Sequence, residues 1–169
     1  KIQAMQQINN LYPRSDYADD ALYETARAQL QLEKSDDAIL TYTKLLKQYP
    51  NSNKAAKSAL ELGMAYRTLK QYDNATQAFK QTIERYAGSE EAYAALEGLE
   101  QVYVENNQIG DYLAYTKTLN RMNMQAATSE DSLVYVTAEL QYMMGNYEQA
   151  AAGLTTYLTS YCPGGRYCM

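Results

Sequence analysis

Tyr49-Pro50-Asn51-Ser52-Asn53-Lys54-Ala55 decides how this chain is read. Tyr-Pro stands 37 residues earlier as Tyr12-Pro13, and Tyr86-Ala87 stands 37 residues later. A serine follows each tyrosine by three places (Ser15, Ser52, Ser89), and an alanine follows each serine by three more (Ala18, Ala55, Ala92). Phase and spacing agree at several positions at once, which marks an internal repeat. Proline stops an incoming helix, because it lacks an N–H and disfavours helical geometry in the residue before it. The serine that follows is a good N-cap residue, since its hydroxyl can take an orphan amide of the next helix. Asp16, Asp19 and Asp20 in one unit, and Glu90 and Glu91 in another, then favour the positive end of the helix dipole.

Outward from this junction the apolar residues keep helical spacing. Ala55, Ala59, Leu62, Tyr66 and Leu69 form one stripe. After a break at Lys70-Gln71-Tyr72-Asp73 a second stripe follows: Ala75, Phe79, Ile83 and Tyr86. The preceding unit has the same pairing, with Leu22, Ala26 and Leu30, then Ala38, Tyr42 and Leu45. Each unit therefore predicts two helices, and the chain predicts an all-α fold of about nine helices. The units run over residues 13–49, 50–86, 87–124 and 125–161. Residues 1–12, with Ile8 and Leu11, read as the end of a partial unit, and 162–169 as the start of another. Solenoids carry polar capping units; neither end shows one, so a segment of a longer repeat array is expected.

These residues resemble tetratricopeptide repeats. The second unit carries Leu62-Gly63, Tyr66, Ala75 and Phe79 at the family's spacing. The first matches at Ala26, Ala38, Tyr42 and Pro50, with Gln29 in place of a tyrosine. The fourth matches at Ala138, Ala150 and Leu154 after Gly145-Asn146-Tyr147. The third keeps Leu99 and Tyr103 but has Tyr112 and Thr116 where a small residue and an aromatic are expected. The connection around 124–129 adds residues, since Tyr161 lies 75 places past Tyr86. The resemblance implies a right-handed superhelical solenoid of antiparallel helix pairs. It also makes Ala75 a small-residue position at a helix crossing, expected to tolerate enlargement less than Ala92 in a first turn.

The 37-residue period and the Tyr-Pro-x-Ser-x-x-Ala junction are similar to the bacterial envelope branch of this family. That branch includes the periplasmic coordinator of the Tol–Pal system and the repeat-bearing lipoprotein of the outer-membrane β-barrel assembly machinery. The similarity implies a periplasmic, envelope-facing scaffold. The family pattern also places the first helix of each pair on a concave groove. The groove residues it implies here are Tyr23, Arg27, Leu60, Met64, Arg67, Gln101, Tyr135, Glu139 and Tyr142. Aromatic, Met and Arg side chains are types that interfaces favour. The Lys and Asn of the chaperone-binding carboxylate clamp are replaced by Tyr23, Arg27, Leu60 and Met64, so that activity is not implied.

Composition bounds the chemistry. Of 169 residues, 46% are apolar and 21% charged, the balance of a folded protein. The formal net charge of −5 opposes a general nucleic-acid binder, and an RNA-binding helical repeat would need a basic groove. Charge is uneven: residues 49–86 carry net +3 and residues 87–169 net −7. There is no His, which removes His triads, His metal ligands and the commonest neutral-pH base. The 18 Tyr read as core and half-buried packing at helical spacing in preference to a base-stacking surface. Cys162 and Cys168 cannot complete a four-ligand metal site, and spacing leaves open a disulfide or two separate thiols. Gly164-Gly165-Arg166 reads as a turn, without the strand and Lys-Ser/Thr of a phosphate loop. No run is long and apolar enough for a membrane span, and no catalytic residue, metal or cofactor is expected. The expected role is a non-enzymatic scaffold for a protein or peptide partner, the alternative an architectural spacer.

Overall fold

The computed structural model describes residues 2–12, 15, 17–119, 129–162, 164 and 166–168, with the side chains of 2, 6 and 8–10 outside the description. Pro13, Asp16, the Ile8 side chain, most of the 124–129 connection, Pro163 and Gly165 thus lie outside the described residues. The all-α expectation holds, with nine helices and no strand among the described residues. They are α1 (Ile2–Leu11), α2 (Ala18–Gln31), α3 (Ser35–Gln48), α4 (Ala55–Thr68), α5 (Tyr72–Arg85), α6 (Glu90–Glu105), α7 (Ile109–Leu119), α8 (Glu130–Met143) and α9 (Tyr147–Ser160). The chain divides into two compact units, Lys1–Leu99 and Glu100–Met169, with the division falling within α6.

The repeat is visible in the backbone itself. Glu33, Lys70 and Asn107 have positive φ of 59°, 56° and 55°, at the 37-residue period. Each ends a first helix. The N–H one residue later bonds back across the turn, Lys34 to the Gln29 carbonyl (2.9 Å), Gln71 to Tyr66 (2.9 Å) and Gln108 to Tyr103 (2.8 Å). This left-handed residue with a backward bond satisfies carbonyls that a helix end would otherwise leave orphaned. The fourth instance is Gly145 (φ 81°), with Asn146 N–H bonding to Gln141 at 2.9 Å.

The junction serines behave differently from the N-cap expectation. In all three, the Ser N–H donates to the carbonyl of the tyrosine three places back (3.0 Å). Only Ser89 caps as expected, accepting the Ala92 N–H at 3.1 Å. Ser15 and Ser52 instead accept the amides of Tyr17 (3.3 Å) and Lys54 (2.9 Å), before α2 and α4 have begun. The chain makes one further tight turn there, so the hydroxyl closes a local turn two residues on.

In the first unit, Leu22, Ala26, Ala38, Tyr42 and Leu45 form a buried cluster between α2 and α3. Gln29, standing where the family has tyrosine, is buried and accepts the Thr41 hydroxyl at 2.8 Å, so a polar bond joins the two helices there. The fully buried Phe79 ring of α5 sits between two glycines. A Cβ at Gly63 or at Gly98 would come within 2.6 Å of ring carbons. Those absent side chains let α4 and α6 close on the ring. Ala75 and Ala92 are both fully buried, at 0% exposure. The first turn of α6 is therefore already packed on the core.

In the second unit, the third repeat solves its departure from pattern with the departing residue. Tyr112 is fully buried, its ring 6.0 Å from that of Tyr103, and its hydroxyl donates to Glu100 at 3.0 Å. α8 and α9 pack closely, and a Cβ at Gly153 would meet the Ala138 Cβ at 2.8 Å. Beyond α9, Cys162 and Cys168 are bridged, with Cα atoms 5.7 Å apart.

Candidate interaction faces

In the first unit, polar contacts tie α2 to α4 and to the turn that precedes it. The Tyr23 hydroxyl on α2 donates to Glu61 Oε1 on α4 at 2.8 Å. The Tyr42 hydroxyl on α3 donates to the other carboxylate oxygen, Glu61 Oε2. The two phenol rings lie 6.2 Å apart. Lys54 pairs with Asp20 at 3.3 Å, and the Ser52 hydroxyl donates to Asp19. Burial raises both tyrosines above the ordinary phenol value, and Glu61 raises them further by hydrogen bonding and charge. Glu61 is a node that no motif announced. The one sequence signal was a lone carboxylate inside the run Leu60-Glu61-Leu62.

The groove residues inferred for this unit fall into two groups. Tyr23 is buried at 3% exposure, so it supports the face from beneath. Arg27 is exposed, pairs with Glu24 at 3.2 Å, and lies 5.7 Å from the Tyr23 ring centroid. The Glu24 carboxylate raises the Arg27 pKa. Lys57 lies over the same ring at 5.9 Å. Met64 is exposed, while Leu60 and Arg67 are half-buried. The resulting surface places cations and a thioether around a buried phenol.

The second unit leaves Gln101 exposed on α6 and Glu139 exposed on α8. Tyr135 is half-buried among tyrosines, edge-on to Tyr157 (5.4 Å) and stacked on Tyr167 (4.2 Å). Tyr142 is exposed, edge-on to Tyr147 at 5.5 Å, beside the exposed Met143 and Met144. Asp131, one turn before Tyr135, accepts the Arg166 N–H at 2.9 Å. The Ser129 hydroxyl and that amide hold the Asp131 carboxyl below its ordinary range. Burial and then Glu130 raise Tyr161. The importance of Asp131, Tyr157 and Tyr167 was not legible, since no motif links them.

On the other side of the first helices, each unit has a cleft between helix pairs. A cleft of about 110 Å³ in the first unit is lined by Leu46, Ala59, Leu62, Thr82 and Tyr86. One of about 440 Å³ in the second is lined by residues including Leu113, Val134, Thr137, Gly153 and Tyr161. Among the described residues no group of three or more Cys, Asp or Glu side chains could hold a metal ion, and no helix is long and apolar enough to cross a membrane.

Paired helices, the recurring left-handed turn and a face built from first helices define a helical-repeat protein. The sequence model of the Tetratricopeptide repeat family matches residues 20–52 and 57–89, both within the first unit. Among solved structures, the chain is similar to MamA (TM-score 0.58, 17% identity, covering 94% of this chain and 85% of that one). It is also similar to the Podosopora anserina putative kinesin light chain nearly identical TPR-like repeats (0.59, 16%, 94% and 84%). A third is MamA 41-end from Desulfovibrio magneticus RS-1 (0.56, 15%, 93% and 83%). At these identities the likeness shows the fold. No curated protein matches the chain. The sequence match covers the first two full repeats, and the shared fold extends the helical-repeat architecture over the rest of the chain.

Proposed function

We propose that this chain is a non-enzymatic scaffold that holds a peptide or protein partner against the first helices of its repeats, in a bacterial cell envelope. The observation that carries this reading is the α2–α4 face. Glu61 takes the hydroxyls of Tyr23 and Tyr42, which fixes the two helices and leaves Arg27, Lys57 and Met64 at the surface. Anchors held by a rigid base lose little freedom on binding, which is what gives a contact its affinity. Tyr142 and Glu139 offer a second set on α8. The net charge of −5 favours a protein over a nucleic acid as partner. The Cys162–Cys168 disulfide supports an oxidising compartment such as the periplasm.

The test is a pull-down from an envelope extract with three proteins. Wild type is compared with an Arg27→Ala/Met64→Ala/Tyr142→Ala variant and with a Lys44→Ala/Glu84→Ala/Lys117→Ala control on second helices. The first variant should lose specific partners, since truncating an anchor costs about 2 kcal/mol, near thirtyfold in affinity. The control should retain them. Equal retention by both variants sinks the reading and favours an architectural spacer, which needs only intact helix packing.

A further inference from the structure

We infer that α8 and α9 form a seat for an aromatic residue carried on a turn, and that the Cys162–Cys168 bond keeps this seat filled by the chain's own Tyr167. The Tyr167 ring stacks on Tyr135 with centroids 4.2 Å apart and planes 15° from parallel. Its backbone N–H donates to the Tyr157 hydroxyl at 2.7 Å. The preceding amide, of Arg166, donates to Asp131 Oδ2 at 2.9 Å. One ring face and two successive main-chain N–H groups are thereby read by three side chains of α8 and α9. This is the recognition pattern of a short peptide whose specificity lies in one aromatic side chain.

The seat and its occupant differ in burial. Tyr157 is 2% exposed and Tyr135 half-buried, so the base is packed in place. Tyr167 is 40% exposed, so its ring can leave without opening the core. The disulfide closes the loop on both sides of the occupant, with Cys168 Sγ 3.7 Å from the Tyr157 hydroxyl. A tethered ligand competes at a high effective concentration, which falls when the tether loosens. Reduction by a dithiol does this. The reductant gives two electrons and two protons, the S–S bond breaks to two cysteine thiols, and the reductant leaves as its own disulfide. The partner implied is an aromatic-bearing segment that engages the seat once the loop is reduced. The inference rests on the reading of first-helix residues as partner-facing and names the chemistry that Tyr135 would recognise.

The experiment titrates a labelled, end-capped Gly-Gly-Arg-Tyr-Ser peptide, matching residues 164–168 with Ser for Cys168, into the whole chain by fluorescence anisotropy. The proteins are oxidised wild type, dithiothreitol-reduced wild type, Cys162→Ser/Cys168→Ser, and Tyr135→Ala and Tyr135→Phe in that double variant. Reduced wild type and the double variant should bind at least tenfold tighter than the oxidised protein. The peptide with Ala for Tyr should lose that gain. Tyr135→Ala should lose it too, and Tyr135→Phe, which keeps the ring and the fold, should retain it. Equal binding by oxidised and reduced protein overturns the gating. No binding by a reduced protein of unchanged circular dichroism overturns the seat. Either failure leaves the pull-down on Arg27, Met64 and Tyr142 standing, and a failed pull-down beside intact peptide binding sinks the scaffold reading alone.

Discussion

The helix pair α4–α5 and the pair α8–α9 share one register, 75 residues apart, yet they pack against their predecessors differently. Ala59 corresponds to Val134, Leu62 to Thr137, Ala78 to Gly153 and Tyr86 to Tyr161. The first set leaves a cleft of about 110 Å³ and the second one of about 440 Å³. At the centre of the difference, a leucine has become a threonine. Thr25 and Thr82 send their hydroxyls to the carbonyl four residues back, at 2.7 and 2.8 Å. The buried Thr137 hydroxyl finds no partner among the described residues. The two units are also closed by different chemistry. In the first, one carboxylate ties three helices; in the second, tyrosine stacking and a disulfide hold the end of the chain on α8 and α9. A repeat can keep its phase while its cohesion changes from charge-assisted hydrogen bonds to covalent closure.

The largest effect should come from breaking the carboxylate node. Glu61→Ala removes the acceptor of two phenols, Tyr42 fully buried and Tyr23 nearly so. A hydrogen bond to a charged group contributes about 1.5–3 kcal/mol, and orphaned hydroxyls add their desolvation cost. A loss of about 3 kcal/mol is expected, read as the shift in urea midpoint, and a loss under about 0.5 kcal/mol would remove the node from the account of the first unit.

That node and the Asp131 contact of the second unit give the two units opposite pH limits. Tyr23 and Tyr42 have folded pKa values raised above the ordinary 10.0. Their contribution is whole below that value. It falls as pH rises past it, because the unfolded chain loses its phenolic protons first. Asp131 is lowered from 3.8, so its hold on the Arg166 amide is present above that value and is lost as pH falls through the depressed one. Amide hydrogen exchange, corrected for its intrinsic pH dependence, should show α2–α4 loosening on the alkaline side and residues 166–168 on the acid side. The reverse order would break the comparison.

A smaller, reciprocal effect is expected in the clefts. Thr137→Leu restores the residue of the tighter pair and removes an unpaired hydroxyl, and should stabilise by about 1 kcal/mol. Leu62→Thr should destabilise by about 1–2 kcal/mol, through lost apolar burial and a new polar group against the core. Matching signs for the two variants in thermal unfolding would show that the cleft volumes do not report packing.

The smallest effect concerns the recurring turn. Lys70 holds φ of 56° with a Cβ, where Gly145 holds 81° without one. Lys70→Gly should stabilise by about 0.5–1 kcal/mol and Gly145→Ala should destabilise by about 1 kcal/mol. Equal and opposite changes in melting temperature would show that both turns carry the same left-handed strain.

Sequence by itself determined everything that depends on neighbours within a turn or two. The 37-residue spacing of Tyr, Ser and Ala, the stripes of apolar residues and the breaks between them specified helices and their pairing. These follow from local hydrogen bonding and side-chain period, which a linear string records. It also carried Arg27, Met64 and Tyr142 to the surface of first helices. Tertiary structure alone decided that Tyr23 lies beneath the face and not on it, because its hydroxyl meets a carboxylate 38 residues away. It decided that Tyr112, large where a small residue was expected, fills its own site through Tyr103 and Glu100. It decided that Cys162 and Cys168 bridge, and that Tyr167 lands on Tyr135. Such partners are chosen by close packing of whole helices, where a change of one side chain's volume or polarity reroutes its contacts, and the period is indifferent to that choice.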